Sequence, residues 1–122
     1  MIQLVYASHP FGFDDAMLNG ILLDARRCNE RDDVTGALIV RGDLYLQLLE
    51  GPDDAVLASY DRIVRDDRHA NATVLLQREI NDRMFPNWAM LDDPAKSWIW
   101  TIDEVRDGAV ARATEAEVLG FF

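Results

Sequence analysis

Two β-compatible runs, Val34–Val40 and Leu44–Leu49, stand near the middle of the chain, separated only by Arg41-Gly42-Asp43. So short a connection makes them an antiparallel hairpin, and its glycine can take the positive φ that tight turns use. The flanks constrain the rest. Upstream, from Asp14 to about Asn29, Met17, Leu18, Ile21, Leu22, Ala25 and Cys28 recur every three or four residues, the spacing of one helical face, with Asp14 or Asp15 as N-cap. Downstream, Gly51-Pro52-Asp53-Asp54 stops the second strand and starts another helix. Proline suits a first helical turn, and the two carboxylates there face the positive end of the helix dipole. Val56, Leu57, Tyr60, Ile63 and Val64 form the expected buried stripe of this second helix.

Ile2–Tyr6 reads as a first strand, Thr73–Gln77 as a fourth, and Phe85–Leu91 as a short fifth in which Pro86 must sit at the beginning or the edge. The order β-α-β-β-α-β-β predicts an α+β, ferredoxin-like fold: a mixed five-stranded sheet with two helices on one face. Residues 1–92 form the expected domain. Residues 93–122 form a C-terminal helical extension packing on it, with helix starts at Thr101 and Thr114.

Several function classes recede on charge and hydropathy. The formal charge of −10 repels a phosphate backbone, and the Lys and Arg residues are scattered, so no direct nucleic-acid binding is expected. Runs such as Trp98-Ile99-Trp100 fall far short of the roughly 20 apolar residues that cross a bilayer, and no basic region precedes an apolar run at the N-terminus. A soluble, cytoplasmic protein with no membrane contact is expected. The single cysteine, Cys28, excludes an intramolecular disulfide, and no Cys/His spacing reads as a zinc site, so no metal is expected.

Tyr6 near the end of the first strand, Asn29 at the end of the first helix and Gln47 within the third strand are polar groups beside core-forming segments. Each needs a hydrogen-bond partner if buried. Taken singly they have plain explanations: a packed ring with an exposed hydroxyl, a left-handed helix cap, and a residue on the wet face of the sheet. Taken together, two carboxamides and a phenol meeting where the first helix crosses its strands suit a flat heteroaromatic ligand. An isoalloxazine edge offers carbonyl acceptors and an N–H donor, which a carboxamide can match with both its ends. Ile21 and Ile63, on core-facing positions of the two helices, would wall the ring faces.

These segments occur in an order that resembles the BLUF family, sensors of blue light using flavin. The resemblance runs from Leu4-Val5-Tyr6-Ala7-Ser8 through Asn29 and Val34-Thr35-Gly36 to Tyr45-Leu46-Gln47-Leu48-Leu49-Glu50-Gly51-Pro52. It continues through Tyr60-Asp61-Arg62-Ile63 and Asp67-Arg68-His69 to Arg83-Met84-Phe85-Pro86-Asn87-Trp88-Ala89-Met90, covering about three quarters of the chain. It implies a non-enzymatic photoreceptor in which Tyr6 and Gln47 are the photoactive tyrosine and glutamine, Asn29 the flavin-edge ligand, and Met90 and Trp88 the switch pair. Ile21 and Ile63 match ring-packing positions; Arg62, Arg68 and His69 match positions near the ribityl-phosphate end. FAD is the implied cofactor, with FMN as the alternative, and the implied output is an unidentified downstream protein or a homo-oligomer.

Cys28 departs from the Asn, His or Arg that similar sequences place before the binding asparagine; the helical stripe makes it a buried packing residue. Arg41-Gly42-Asp43 is explained as a turn. Two rivals stand beside the photoreceptor: a small hydrolase or isomerase using His9 or His69 as general base, which has no activated nucleophile, and an interaction module of the same fold without flavin.

Overall fold

All eight residues of the run Leu44–Gly51 are buried, so this strand is covered on both faces, and its near-continuous apolar sequence follows from that. The computed structural model describes residues 1–10, 15–41, 44–65, 69–86, 91–94 and 101–122. Along the chain run β1 (Ile2–Pro10), α1 (Asp15–Asp32), β2 (Thr35–Arg41), β3 (Leu44–Gly51), α2 (Asp53–Val64), β4 (His69–Glu79), β5 (Leu91–Pro94), α3 (Ile102–Arg106), a 3-10 turn (Val110–Arg112) and α4 (Glu115–Gly120). The sheet order is β4-β1-β3-β2-β5. The first four strands are mutually antiparallel, and β5 joins β2 in parallel.

Alternation along the strands sorts the core into two layers. Ile2, Leu4 and Tyr6 of β1, Leu38 of β2 and Tyr45 and Leu49 of β3 pack with Leu22 of α1 and Val56 of α2, so both helices cover one face. Val5, Ala7, Leu46, Leu48 and Leu76 point to the other face, where Ala109, Val118 and Phe121 of the C-terminal segment cover them. The two threonine-initiated helices are present. Thr101 makes a reciprocal capping box with Glu104, and the Thr114 hydroxyl accepts from the Glu117 amide.

Several local expectations need correction. The helix expected to end near Asn29 continues to Asp32, and the left-handed residue behind it is Asp33, with φ of 59°. Pro52 is the N-cap of α2 rather than a first-turn residue. On α2, Leu57 and Val64 are 42% and 50% exposed. At about 100° per residue they lie well round from Val56 and Ile63, so the five-residue stripe was too wide for one buried face. Cys28 is only half-buried. A strand runs at Leu91–Pro94, opposite Ala37–Val40; of the expected span Phe85–Leu91, Phe85 and Pro86 are outside any strand, Leu91 opens β5, and residues 87–90 lie outside the described residues. The reason is chemical: the Phe85 amide donates to the Glu50 carboxylate at 2.5 Å, and Pro86 has no N–H, so neither joins a ladder. The turn residues Gly42 and Asp43 and the N-cap choice Asp14 lie outside the described residues.

Glu50 itself is fully buried. Its second oxygen accepts from Gln3 Nε2 at 3.2 Å, and Gln3 Oε1 accepts from Arg78 Nε at 2.9 Å. This polar row crosses β4, β1 and β3 through the directly paired residues Arg78, Gln3 and Glu50. Removing its acceptor strands two buried donors, so Glu50→Ala should lower unfolding free energy by about 3 kcal/mol, read from urea denaturation. Gly36 leaves no room for a side chain on β2: a Cβ there would sit 1.8 Å from the Leu48 carbonyl oxygen. Gly36→Ala should therefore cost about 3 kcal/mol or more in the same assay, because backbone must move to admit one methyl.

Candidate functional site

The register of β1 against β3 sets Tyr6 directly opposite Gln47, and that of β3 against β2 sets Gln47 opposite Leu38. Directly opposed residues share a face, so all three side chains lie under the helices. Tyr6 is fully buried and Gln47 is 2% exposed. The Tyr6 hydroxyl donates to Gln47 Oε1. That contact disposes of the plain explanations of both residues, an exposed hydroxyl and a wet sheet face. A carboxamide held by its carbonyl end at the phenol directs its NH₂ end elsewhere, so the pair is polarised in one sense.

Asn29 is 2% exposed and follows Leu22 and Ala25 on the sheet-facing stripe of α1. Its carbonyl accepts from the Val34 amide at 2.9 Å, which closes the connection into β2. Since the left-handed position is Asp33, Asn29 is not the cap, and its burial asks for another use. Ile63 is half-buried and packs against the cluster holding Tyr6. Arg62 is on the rim: Nη2 donates to Ser59 Oγ at 3.5 Å, and Nη1 lies 4.0 Å from Asp32 Oδ2. Asp32 is held below its ordinary pKa, chiefly by the Arg31 hydrogen bonds at 2.9 and 3.0 Å, with Arg62 adding a smaller attraction. The side chains of Ile21 and His69, and all of Arg68, Trp88 and Met90, lie outside the described residues.

Sequence reasoning missed three features. Tyr60, read only as part of an apolar stripe, packs its ring on Tyr6 with centroids 5.4 Å apart and planes at 59°. Ser59 is fully buried on α2. Gln3 and Glu50 are a buried polar pair whose signal, a polar residue inside an apolar strand, was visible while its partner was not. His9, the general base of the enzyme rival, lines a cleft of about 230 Å³ on the opposite face with Ala7, Thr73, Val105 and Val110. Among the described residues no helix is long and apolar enough to cross a membrane, and no cluster of three or more His, Cys, Asp or Glu could hold a metal.

A phenol and two carboxamides are thus buried between the antiparallel sheet and two helices of an α+β module. The family described as "Sensors of blue-light using FAD" matches residues 1–91. The blue light- and temperature-regulated antirepressor BluF of Escherichia coli (strain K12) is 46% identical over 79 residues, 62% of this chain and 19% of that protein. The photoactivated adenylate cyclase subunit beta of Euglena gracilis is 32% identical over 90 residues, 74% of this chain and 10% of that protein. This chain thus spans only a tenth to a fifth of the length of these curated relatives. Among solved structures, the dark state of BlrB, a BLUF protein, matches with a TM-score of 0.78 at 26% identity over 98% of this chain and 89% of that one. A bacterial light-regulated adenylyl cyclase matches with a TM-score of 0.72 at 34% identity, covering 92% of this chain and 32% of that one.

The chain belongs to the BLUF family of flavin-binding blue-light sensors. Its α+β architecture, an antiparallel four-stranded sheet with helices, is the fold of that family. The buried residues suit the group this family binds. Asn29 and Gln47 are buried carboxamides of the chemistry that would match a heteroaromatic edge, and Ile63 is apolar surface beside the cluster that holds the phenol.

Burial pushes the Tyr60 phenol above its ordinary pKa of 10.0. The folded protein therefore holds this proton more tightly than the unfolded chain does. The associated stability is complete below about pH 10 and is lost as pH rises through the folded value. Urea midpoints measured upward from pH 9 should decline above about pH 10, and Tyr60→Phe should flatten that decline.

Proposed function

We propose that this chain is a blue-light receptor module that binds a flavin non-covalently beneath α1 and α2 and signals by rearranging the Tyr6–Gln47 hydrogen bond. FAD is the preferred flavin, with FMN as the alternative. Asn29 and Gln47 contact the polar edge of the ring, Ile21 and Ile63 pack its faces, and Arg62, Arg68 and His69 serve the ribityl-phosphate end. In this reading Arg62 is already drawn toward the α1 end by Asp32, which sets where a phosphate would compete for it. Residues 1–92 are the flavin-binding domain and 93–122 an extension of it.

The observation that carries this reading is the hydroxyl of Tyr6 donating to Gln47 Oε1 in a buried setting. When bound, the flavin supplies blue-light absorption and an excited state that accepts an electron. Tyr6 would be the residue to give up that electron, with its phenolic proton leaving along the hydrogen bond it makes with Gln47. Once electron and proton had returned to Tyr6, the Gln47 carboxamide would be left rotated or tautomerised, with its donor and acceptor ends exchanged. The net chemistry is zero, so the module is a sensor and not an enzyme. A new hydrogen-bond pattern on one face of β3 biases a two-state element, which we assign to β5 with Trp88 and Met90 and to the C-terminal helices beyond.

The output passes to a partner protein or to a homo-oligomeric state. The acidic surface disfavours a polyanionic target and favours a protein partner. The cytoplasm is the compartment we assign. The E. coli relative is named as an antirepressor and the Euglena relative as a photoactivated cyclase subunit; each name supports light-controlled signalling as the class of activity.

Absorption spectra of the purified protein in darkness, after blue light and during dark recovery test this directly. A flavin spectrum with a small, dark-reversible red shift is expected, and Gln47→Leu and Tyr6→Phe should each abolish the shift. A colourless protein that rejects added flavin would overturn the proposal and leave the flavin-free interaction module.

A further inference from the structure

Among the contacts that hold the Tyr6 side chain are a hydrogen bond, which belongs to the proposed photochemistry, and a ring pair, which does not. Its hydroxyl is held by Gln47 on β3. Its ring is met by the ring of Tyr60, which reaches it from α2 at a centroid distance of 5.4 Å and an interplanar angle of 59°. The sheet gives Tyr6 unlike neighbours on its two sides, and this gives the second contact a use. On the β3 side Tyr6 has Gln47, but on the β4 side the register shifts between Val5 and Tyr6, so that Val5 faces Leu76 while Tyr6 faces Val74. Val74 is 42% exposed, on an edge strand, and forms a poor wall. A bulge of this kind re-aims side chains, and an aromatic ring beside it needs support from another layer to stay in one rotamer.

We infer that Tyr60 is a positioning residue for Tyr6: its ring, delivered by α2, holds the Tyr6 phenol in the rotamer that keeps the hydroxyl on Gln47. The role belongs to the ring and not to the Tyr60 hydroxyl. A tilted aromatic pair of this geometry contributes through ring packing. For the light-dependent part, the inference rests on the photoreceptor reading given above; the structural part stands without it.

The test uses the whole 122-residue chain. The chain has three tyrosines, Tyr6, Tyr45 and Tyr60. In a Tyr45→Phe background, 3-fluorotyrosine incorporation into Tyr60→Phe or Tyr60→Leu leaves Tyr6 as the only labelled ring. In the dark, ¹⁹F NMR should show one sharp Tyr6 resonance in Tyr60→Phe. In Tyr60→Leu it should show a second or exchange-broadened species, with the alternative orientation raised roughly fivefold relative to Tyr60→Phe. The quantum yield of the red-shifted state should fall by roughly the same factor in Tyr60→Leu and be restored in Tyr60→Phe. Leu57→Ala, on the solvent side of the same helix and made in the Tyr45→Phe, Tyr60→Phe background, should change neither reading. Tyr60→Met keeps bulk without a ring and carries the same expectations should Tyr60→Leu not fold. A single sharp resonance and full yield in the ring-less variants would overturn the inference. So would a loss of yield in Tyr60→Phe equal to that in Tyr60→Leu, since that outcome assigns the role to the hydroxyl. A wild-type protein without flavin would sink the photoreceptor reading while the NMR comparison still decides whether Tyr60 positions Tyr6.

Discussion

A carboxamide in the middle of a strand that is buried on both faces has to be satisfied from a neighbouring strand, and in this protein that constraint ties the architecture together. Gln47 sits at such a position on β3, and the strand beside it supplies Tyr6 in direct register. Slipping either strand by one residue would turn Tyr6 or Gln47 to the opposite face and expose the apolar set that now lies inward. A buried carboxamide without its partner costs about 1–3 kcal/mol, comparable to a large fraction of a small domain's net stability. The hydrogen bond thus both favours this register and is the element the proposed signalling acts upon.

The two faces of the sheet divide the labour. The helix face holds the phenol, the two carboxamides and the aromatic contact from α2; the opposite face is closed by the C-terminal helices through Val118 and Phe121. On this opposite face runs a second polar row, Arg78, Gln3 and Glu50, that ends on the Phe85 amide. The Phe85 ring in turn meets the ring of Phe122, 6.5 Å away at 74°. Arg83 fixes the same segment to β2 and to the end of α1, donating to Thr35 Oγ1 and to the Asp33 carbonyl. The segment after β4 is therefore pinned to the sheet by side chains where it has no ladder, and the last residue of the chain rests upon it.

The helices, the hairpin and the threonine caps were legible because each is a local pattern: a three-to-four repeat, a short turn between β runs, a hydroxyl followed three residues later by a glutamate. The family resemblance was legible because ordered short motifs survive in the sequence. What failed was what depends on neighbours in space. The width of the α2 stripe could not be read, since Leu57 and Val64 become solvent-facing only once the sheet chooses which side of the helix it meets. Phe85–Leu91 has strand-like composition, but Glu50, distant in sequence, claims the Phe85 amide. Asn29 and Asp33 compete for the left-handed position at the end of α1, and the closure of Asn29 onto Val34 decides it.

By itself, the sequence determined the order of elements, the family, and the identity of Tyr6, Asn29 and Gln47 as polar groups set among apolar ones. Side-chain period and turn chemistry are local, and they leave those marks in one dimension. Only the tertiary structure decided that Tyr6 donates to Gln47, that Tyr60 braces the same phenol, and that Glu50 holds the segment after β4. Those are contacts between strands and layers, and register, a property of pairs of strands rather than of any one of them, is what brings the residues together.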